Sequence, residues 1–130
     1  MEIFSEVLRI EINQKKKPTW NFICSDASKY HTFPPADVVF CHDMLFHIMD
    51  DGTYNGILNN LTRYSDKFIF IYTWLVNPLE PRTDDGRYQK YREFNSYIPV
   101  FEKAGFELVK MIPSPKILDK YGAMWIFKRK

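Results

Sequence analysis

Three side chains that could bind a ligand stand directly after two apolar runs. Asp26 closes the run Trp20 to Cys24, while His42 and Asp43 follow Ala36 to Cys41. If both runs are strands of one α/β sheet, these groups lie in the crevice at the carboxyl ends of the strands, where ligands bind. A carboxylate and an imidazole there could hydrogen-bond a cofactor. Two alternatives stay open: Asp26 could bond local backbone amides in a turn, and His42 and Asp43 could be a solvated loop pair.

A third apolar run ends in larger side chains. Tyr72, Thr73 and Trp74 could line the pocket of an acceptor molecule, because flat aromatic walls suit small organic ligands. Core packing explains these residues as well. His47 is a lone histidine in an apolar run, where a hydrogen-bonded structural role is commoner than that of a base.

Two further clusters lie in the second half of the chain. The aromatic cluster has helical spacing, which is typical of packing, and comprises Tyr88, Tyr91 and Phe94. The basic cluster could hold an acidic substrate, but arginines near a mobile loop usually form a solvated face; it comprises Arg82, Arg87 and Arg92.

Composition argues against several classes of partner. The 18 basic and 16 acidic residues nearly cancel, so the net charge of +2 gives no reason to expect nucleic acid. Cys24 and Cys41 each lie in an apolar run, which predicts buried thiols and suits a reducing cytoplasm. No stretch has the roughly 18 consecutive apolar residues of a membrane span. We therefore expect a cytoplasmic protein that does not contact membranes.

Three protein classes fit the motifs poorly. The histidines and cysteines show no recognised metal-ligand spacing, so we expect no metal site. A phosphorelay receiver would match the strand that leads into Asp43, but the acidic pair that it needs upstream is absent. A short-chain dehydrogenase needs a Tyr-x-x-x-Lys pair, and Tyr64 and Lys67 are one residue too close.

The elements that must position these residues alternate along the first half of the chain. Apolar spacing predicts a helix through Phe4 and Ile12, ended near Pro18, and a second helix from Thr53 to Tyr64. The runs ending at Cys24 and Cys41 are predicted strands, as is Lys67 to Trp74. Because the run Ala36 to Cys41 is almost continuously apolar, we expect it to be covered on both faces, as in a parallel sheet.

The second half begins with a predicted loop from Asn77 to Gly86. A helical stretch follows from Arg87, in which Pro99 is tolerated if Ser96 caps a new helix and Pro99 lies in its first turn. Gly105 ends that helix as a C-cap.

Two strands close the chain, Phe106 to Ile112 and Ala123 to Phe127. Their connection is too short for a parallel crossover, so they should pair antiparallel. The whole pattern predicts a single α/β domain over residues 1–130, with a mostly parallel sheet and a C-terminal antiparallel hairpin.

Four segments then resemble the class I S-adenosylmethionine-dependent methyltransferases. The segment Ser5 to Arg9 is similar to the helix after the family's ribose-binding acidic residue, and Phe22 to Ala27 is similar to its strand ending in Gly-Asp-Ala. The segment Asp37 to Ile48 is similar to its Asp-Val-Val strand with the following Glu-His-Ile phrase, and Phe101 to Val109 is similar to its Ala-Gly-Phe turn. The four segments also match the family in order and spacing.

The resemblance implies a Rossmann-like sheet with helices on both faces and methyl transfer from S-adenosylmethionine to a small-molecule acceptor. It assigns the cofactor to five residues, Asp26, Ala27, Cys41, His42 and Asp43. It assigns the acceptor to three others, His47, Tyr72 and Trp74. It names no catalytic residue, since such catalysis relies largely on positioning two reactants.

One feature of the family is missing from the sequence. Its glycine-rich cofactor loop is absent, because the five glycines are scattered and none form a Gly-x-Gly arrangement. The chain therefore resembles the back half of the family's domain, truncated at its N-terminus. The family's first strand lies beside the equivalent of Ala36 to Cys41, so we expect an open edge there. We expect that edge to pair with a second copy or another partner chain, unless Trp20 to Cys24 is placed there. A non-catalytic module for oligomerisation or partner binding is the alternative function.

Overall fold

The computed structural model of the protein describes residues 3–77 and 89–130. The elements follow one another as helix α1 (Ile3–Lys16), strand β1 (Ala36–His42), a 3₁₀ turn (Leu45–His47), α2 (Asp51–Tyr64), β2 (Ser65–Trp74), a second 3₁₀ turn (Phe94–Ser96), α3 (Ile98–Lys103), β3 (Phe106–Pro113) and β4 (Gly122–Arg129). The first two predicted helices and the last four predicted strands all form at the expected places.

The four strands form one sheet in the order β1-β2-β4-β3. β1 and β2 pair in parallel, joined by α2. β4 pairs antiparallel with both β2 and β3. The predicted α/β fold with a C-terminal antiparallel hairpin is therefore confirmed, and its parallel part among the described strands is the single pair β1–β2.

One face of the sheet, the inward face, carries the core. α2 packs against β1 and β2, while α3 packs against β3 and against α2, which places both helices on this face. The side chains beneath them alternate along the strands, as expected for one covered face, and Ile69, Ile71 and Phe127 are fully buried there. Phe101 of α3 meets Phe127 edge to face at 4.5 Å between ring centroids.

The opposite or outward face is apolar and partly exposed. Register places Phe40, Phe70 and Ile126 side by side across β1, β2 and β4. Phe40 is 65% exposed, so the prediction that β1 is covered on both faces is wrong. The physical reason is that α2 and α3 both lie on the inward face. These two helices thus do not supply the second helical layer that we expected.

The predicted strand from Trp20 to Cys24 does not form. A strand needs a neighbouring ladder, and the side chain of Gln14 in α1 bonds this backbone instead. Its Nε2 donates to the carbonyl of Trp20 at 2.6 Å and its Oε1 accepts from the amide of Phe22 at 3.4 Å. Trp20 is 60% exposed, and Cys24 is exposed rather than buried as predicted. The segment is not placed at the open edge of β1.

The helix before the hairpin is shorter than predicted. The predicted loop from Asn77 and the predicted helix start at Arg87 fall mostly outside the described residues, and Lys90 to Glu93 are not helical. Tyr97 rather than Ser96 precedes α3, because the Ser96 hydroxyl bonds the carbonyl of Glu93 and the hydroxyl of Tyr54.

The predicted ends of this helix are otherwise confirmed. Pro99 lies in its first turn. Gly105 follows its end with a φ of 93°, a left-handed conformation that glycine adopts without steric cost.

Candidate functional site

A cleft of about 330 Å³ lies at the carboxyl end of β1. Its walls come from β1, from α2 and from the segment between Ser25 and Phe33, which we call the flanking segment. Most of the lining is apolar, with a few polar side chains: Val39, Phe40, Cys41, Met44, Ile57 and Leu61, with Ser25, Lys29, His31 and Asn60. Of the five predicted cofactor residues, Ala27, Cys41 and His42 line this cleft.

One face of α2 holds the flanking segment in place. Gly56, Asn60 and Tyr64 are spaced four residues apart and so lie along one side of the helix. The backbone approaches Gly56 so closely that an added Cβ would lie 2.8 Å from the carbonyl oxygen of Ser28. Asn60 Nδ2 donates to the carbonyl of Ala27 at 2.9 Å. The hydroxyl of Tyr64 accepts from the amide of His31, also at 2.9 Å.

His31 lines the cleft and carries an unsatisfied polar atom. Its Nε2 is buried and has no hydrogen-bond partner. Buried polar atoms are nearly always paired, so an unpaired one in a residue beside a cavity is a candidate partner for a ligand group. Sequence reasoning missed this residue, because the sequence around His31 contains no sign that Tyr64 of α2 would bond its backbone.

Cys41 supplies an apolar wall of the cleft. Its side chain is 5% exposed. Burial raises the pKa of its thiol to about 11, since a thiolate would lose its hydration there. The thiol is therefore neutral at physiological pH and is a packing group rather than a nucleophile.

Asp26 lies beside the cleft and bonds its own chain. Its Oδ1 accepts from the amide of Ser28 at 2.9 Å and from the Ser28 hydroxyl at 2.7 Å. These hydrogen bonds lower the pKa of the Asp26 carboxyl. The turn interpretation of Asp26 thus describes its contacts, and the turn shapes the start of the flanking segment.

His42 and Asp43 lie together at the end of β1. Asp43 has a φ of 54°, which places it in the left-handed region that aspartate tolerates better than most residues. Its amide donates to the carbonyl of Tyr72 at 3.0 Å. Its carboxylate lies 3.6 Å from His42 Nδ1, and both side chains are more than half exposed. Asp43 itself does not line the cleft described above.

Tyr72 joins this group from β2. Its ring stacks on His42 with centroids 4.7 Å apart. Its hydroxyl donates to Asp119 Oδ2 at 2.7 Å. Gly122 leaves the room for this contact, because an added Cβ would collide with both the tyrosine hydroxyl and the aspartate. Tyr72 is therefore held at the boundary between predicted cofactor and acceptor residues.

The other two predicted acceptor residues lie in a separate aromatic cluster. Trp74 is 8% exposed and stacks on Phe46 with centroids 4.3 Å apart. His47 is exposed and packs against the same phenyl ring at 4.4 Å. The cavity beside Trp74 measures only about 10 Å³, which at best admits one water molecule. The acceptor role of His47 and Trp74 stays a prediction.

Arg92 is largely shielded from solvent rather than solvated as predicted. Its side chain is 9% exposed. It donates to the carbonyl of Ile48 at 2.7 Å, pairs with Asp51 at 3.0 Å and lies 4.0 Å from the ring centre of Tyr54. Arg92 therefore fixes the backbone between the first 3₁₀ turn and α2. Tyr91 and Phe94 lie outside any α-helix, so the packing helix predicted for them does not form.

Comparison with solved structures relates this arrangement to enzymes of known fold. The magnesium protoporphyrin IX methyltransferase ChlM from Synechocystis PCC 6803 with bound SAH matches with a TM-score of 0.68 and 12% identity, over 92% of this chain and 57% of its own. The mitomycin 7-O-methyltransferase MmcR matches with a TM-score of 0.65 and 16% identity, over 97% of this chain and 39% of its own. LepI in complex with SAM matches with a TM-score of 0.61 and 17% identity, over 92% of this chain and 34% of its own.

The chain has the class I S-adenosylmethionine-dependent methyltransferase fold. The resemblance drawn from its motifs is thereby confirmed at the level of fold. The chain spans little more than half the length of ChlM and less of the others. No family model matches the sequence, and no curated protein matches it either.

Two properties of the described residues bear on other kinds of site. Residues 3–77 and 89–130 contain no group of three or more histidine, cysteine or acidic side chains arranged to hold a metal ion. Within the same ranges no helix combines the length and apolar character needed to cross a bilayer.

Proposed function

We propose that the cleft binds the adenine end of S-adenosylmethionine and that the chain takes part in methyl transfer to a small-molecule acceptor. The observation that carries the proposal is the apolar cleft at the carboxyl end of β1, one lining residue of which, His31, has a buried Nε2 without a hydrogen-bond partner. Ligands of open α/β sheets bind at that end of the strands. The neighbours ChlM and LepI were solved with SAH and SAM, which supports this choice of cofactor.

The chemistry of the cleft fits a purine. Cys41, Ile57 and Leu61 offer apolar walls for the faces of a flat ring. A purine also carries hydrogen-bond donors and acceptors around its edge, and the imidazole of His31 could form a hydrogen bond with one of them. The cleft volume of about 330 Å³ lies near the lower end of the range for ligand clefts, so the cleft suits a part of the cofactor rather than all of it.

The remaining predicted residues would orient the cofactor and the acceptor. Bound there, the cofactor would supply a methyl group activated by its positively charged sulfur. His42 lines the cleft, the carboxylate of Asp43 lies 3.6 Å from its Nδ1, and Tyr72 stacks on its ring. Their contribution is positioning, which alone can account for much of the rate of a two-reactant transfer. The acceptor itself is proposed only as a small molecule.

Calorimetric titration with S-adenosylmethionine and with its demethylated product tests the proposal. We expect saturable heat at millimolar ligand for the unaltered chain. His31→Phe should raise the dissociation constant about tenfold, because one hydrogen bond to a buried ligand group is lost. The matched control is Tyr30→Phe, which removes a hydroxyl from the adjacent residue, one that does not line the cleft. No heat with either ligand would sink cofactor binding by this chain.

A second function, that of a non-catalytic partner-binding module, has its own support. The end strand β1 is apolar and, among the described strands, has a neighbour on one side only. One structure with this fold is described as a pericyclic reaction enzyme, and a fold alone does not fix a chemistry. The same titration separates the two functions, since a partner-binding module need not bind the cofactor.

A further inference from the structure

The connection between β3 and β4, residues 114–121, reaches the end of the sheet where ligands bind. β3 runs antiparallel to β4, and β4 runs antiparallel to β2, so β3 ends on the same side of the sheet as β1 and β2. The amide of Leu75, just after β2, donates to the carbonyl of Tyr121 at 2.6 Å. This segment, which we call the hairpin connection, therefore lies at the carboxyl ends of the parallel strands.

The hairpin connection holds Asp119 through its own backbone. The carbonyl of Pro115 accepts from the amides of Leu118 and Asp119, at 2.9 and 3.0 Å. The carboxylate is oriented as well, because its Oδ1 accepts from the amide of Tyr121 at 3.0 Å. These hydrogen bonds place the Asp119 carboxylate without any contribution from Tyr72.

The second oxygen of Asp119 fixes the hydroxyl of Tyr72. That hydroxyl donates to Oδ2 at 2.7 Å. Burial raises the pKa of Tyr72 and Asp119 adds to the rise, which outweighs the opposite effect of a hydrogen bond with Ser114, so the hydroxyl keeps the proton that it donates. The ring of Tyr72 stacks on His42 with centroids 4.7 Å apart and planes inclined by 25°. Because His42 lines the cleft, a chain of contacts runs from the hairpin connection to the cleft.

We propose that Asp119 is a positioning residue of the cofactor site. By fixing the hydroxyl of Tyr72 it sets the ring against which His42 stacks, and so the orientation of the imidazole in the cleft. The inference rests on the proposed function, which supplies the ligand. Both carboxylate oxygens are needed, since the Tyr72 hydroxyl and the Tyr121 amide both donate to them. A side-chain amide has only one accepting oxygen, so Asp119→Asn leaves one of these donors facing an NH₂ group.

NMR spectra of the ligand-free chain test the positioning directly. The ring protons of His42 lie against the Tyr72 ring and carry its ring-current shift, so Asp119→Asn should move these resonances. Asp66→Asn is the matched control. It makes the same chemical change at an exposed residue at the opposite end of β2, and it should leave the His42 resonances in place.

Calorimetry with S-adenosylhomocysteine tests the consequence for the cofactor. Asp119→Asn should raise the dissociation constant about fivefold, because the His42 imidazole is no longer held in one orientation. Tyr72→Phe should raise it by a similar factor, since it removes the hydroxyl through which Asp119 acts. Asp66→Asn should bind as the unaltered chain does.

The double variant Tyr72→Phe with Asp119→Asn separates positioning from a general structural role. If Asp119 acts through the Tyr72 hydroxyl, adding Asp119→Asn to Tyr72→Phe should not weaken binding further. A residue that only stabilised the hairpin connection would weaken binding by the same factor in both backgrounds.

Three results would overturn the inference. They are unmoved His42 resonances in a folded Asp119→Asn, an unchanged dissociation constant in that variant, and additive effects in the double variant. Absence of binding by the unaltered chain would count against the proposed function instead, and the His42 resonances would then decide the positioning alone. Circular dichroism checks folding. If Asp119→Asn does not fold, Tyr72→Phe must move the His42 resonances, and unmoved resonances there contradict the inference.

Discussion

The hairpin end of the sheet and the β1 end differ in how fully the described strands are paired and buried. At the hairpin end β4 lies between two partners, and the inward face is buried beneath α3. At the β1 end one edge is open among the described strands and Phe40 is exposed. At the hairpin end the chain supplies both a partner strand and a covering helix, so β4 is paired on both sides and its inward face is buried. At the β1 end the described strands supply a partner on one side only, and apolar surface remains exposed beside the cleft proposed for the cofactor.

The largest expected effect contrasts a phenylalanine from each end. Phe127→Ala removes a fully buried ring packed on Phe101, so it should lower the free energy of unfolding by about 3–5 kcal/mol. Phe40→Ala removes a ring that is already 65% exposed, so in the monomer it should cost less than about 1 kcal/mol. Urea unfolding at low protein concentration measures both. Equal losses of unfolding free energy in Phe127→Ala and Phe40→Ala would contradict the contrast between the two ends.

A smaller effect concerns the glycine that ends α3. Gly105 has a φ of 93°, and nothing lies within 4 Å of a Cβ added there. Gly105→Ala should therefore lower the free energy of unfolding by about 1–2 kcal/mol through backbone strain alone. Thermal unfolding is the readout. A stabilised variant would show that the turn adopts another conformation in solution.

Asp43 is the left-handed residue of the β1 end, with a φ of 54°. Glycine has no steric cost in that region, so Asp43→Gly should be neutral or raise the free energy of unfolding by up to about 1 kcal/mol. The same thermal unfolding experiment compares it with Gly105→Ala, which should change the free energy of unfolding in the opposite direction. Marked destabilisation by Asp43→Gly would mean that contacts of its carboxylate outweigh the strain.

The smallest expected effect depends on pH. Hydrogen bonds from Ser28 lower the pKa of Asp26 in the folded chain, so the bonded carboxylate stabilises the fold at pH values above the unfolded pKa of about 3.9. That contribution is lost as the pH falls through the lowered folded value. The stability difference between the unaltered chain and Asp26→Ala should thus shrink from pH 7 to pH 3. A stability difference that grows as the pH falls would mean that folding raises, rather than lowers, the pKa of Asp26.

Sequence patterns predicted the elements whose partners are local or adjacent in the chain. The helical spacing of α2, the apolar run of β2 and the Ala104-Gly105-Phe106 turn each indicate their structure through neighbouring residues. The run Trp20 to Cys24 is also strand-like, but a strand forms only against a second strand, and here Gln14 bonds its backbone. The sequence pattern of a segment thus predicts which secondary structure the segment prefers, and not which segment it will pair with.

The candidate site was predicted less completely, for a related reason. Ala27, Cys41 and His42 were identified because they follow or end strands, and they do meet in one cleft. His31 lacks such a signal, because its place beside the cleft depends on α2, which holds the flanking segment through Asn60 and Tyr64. Those contacts join residues 33 apart in the chain, a distance over which periodicity carries no information.

The central claim is that the cleft at the carboxyl end of β1 holds the cofactor. Amide NMR spectra of the chain, recorded while S-adenosylhomocysteine is added, test both the binding and its place. We predict saturable shifts at Ala27, His31, Cys41 and His42. Absence of shifts at millimolar ligand, or shifts confined to the surface around Asn55 and Lys103, would contradict the claim.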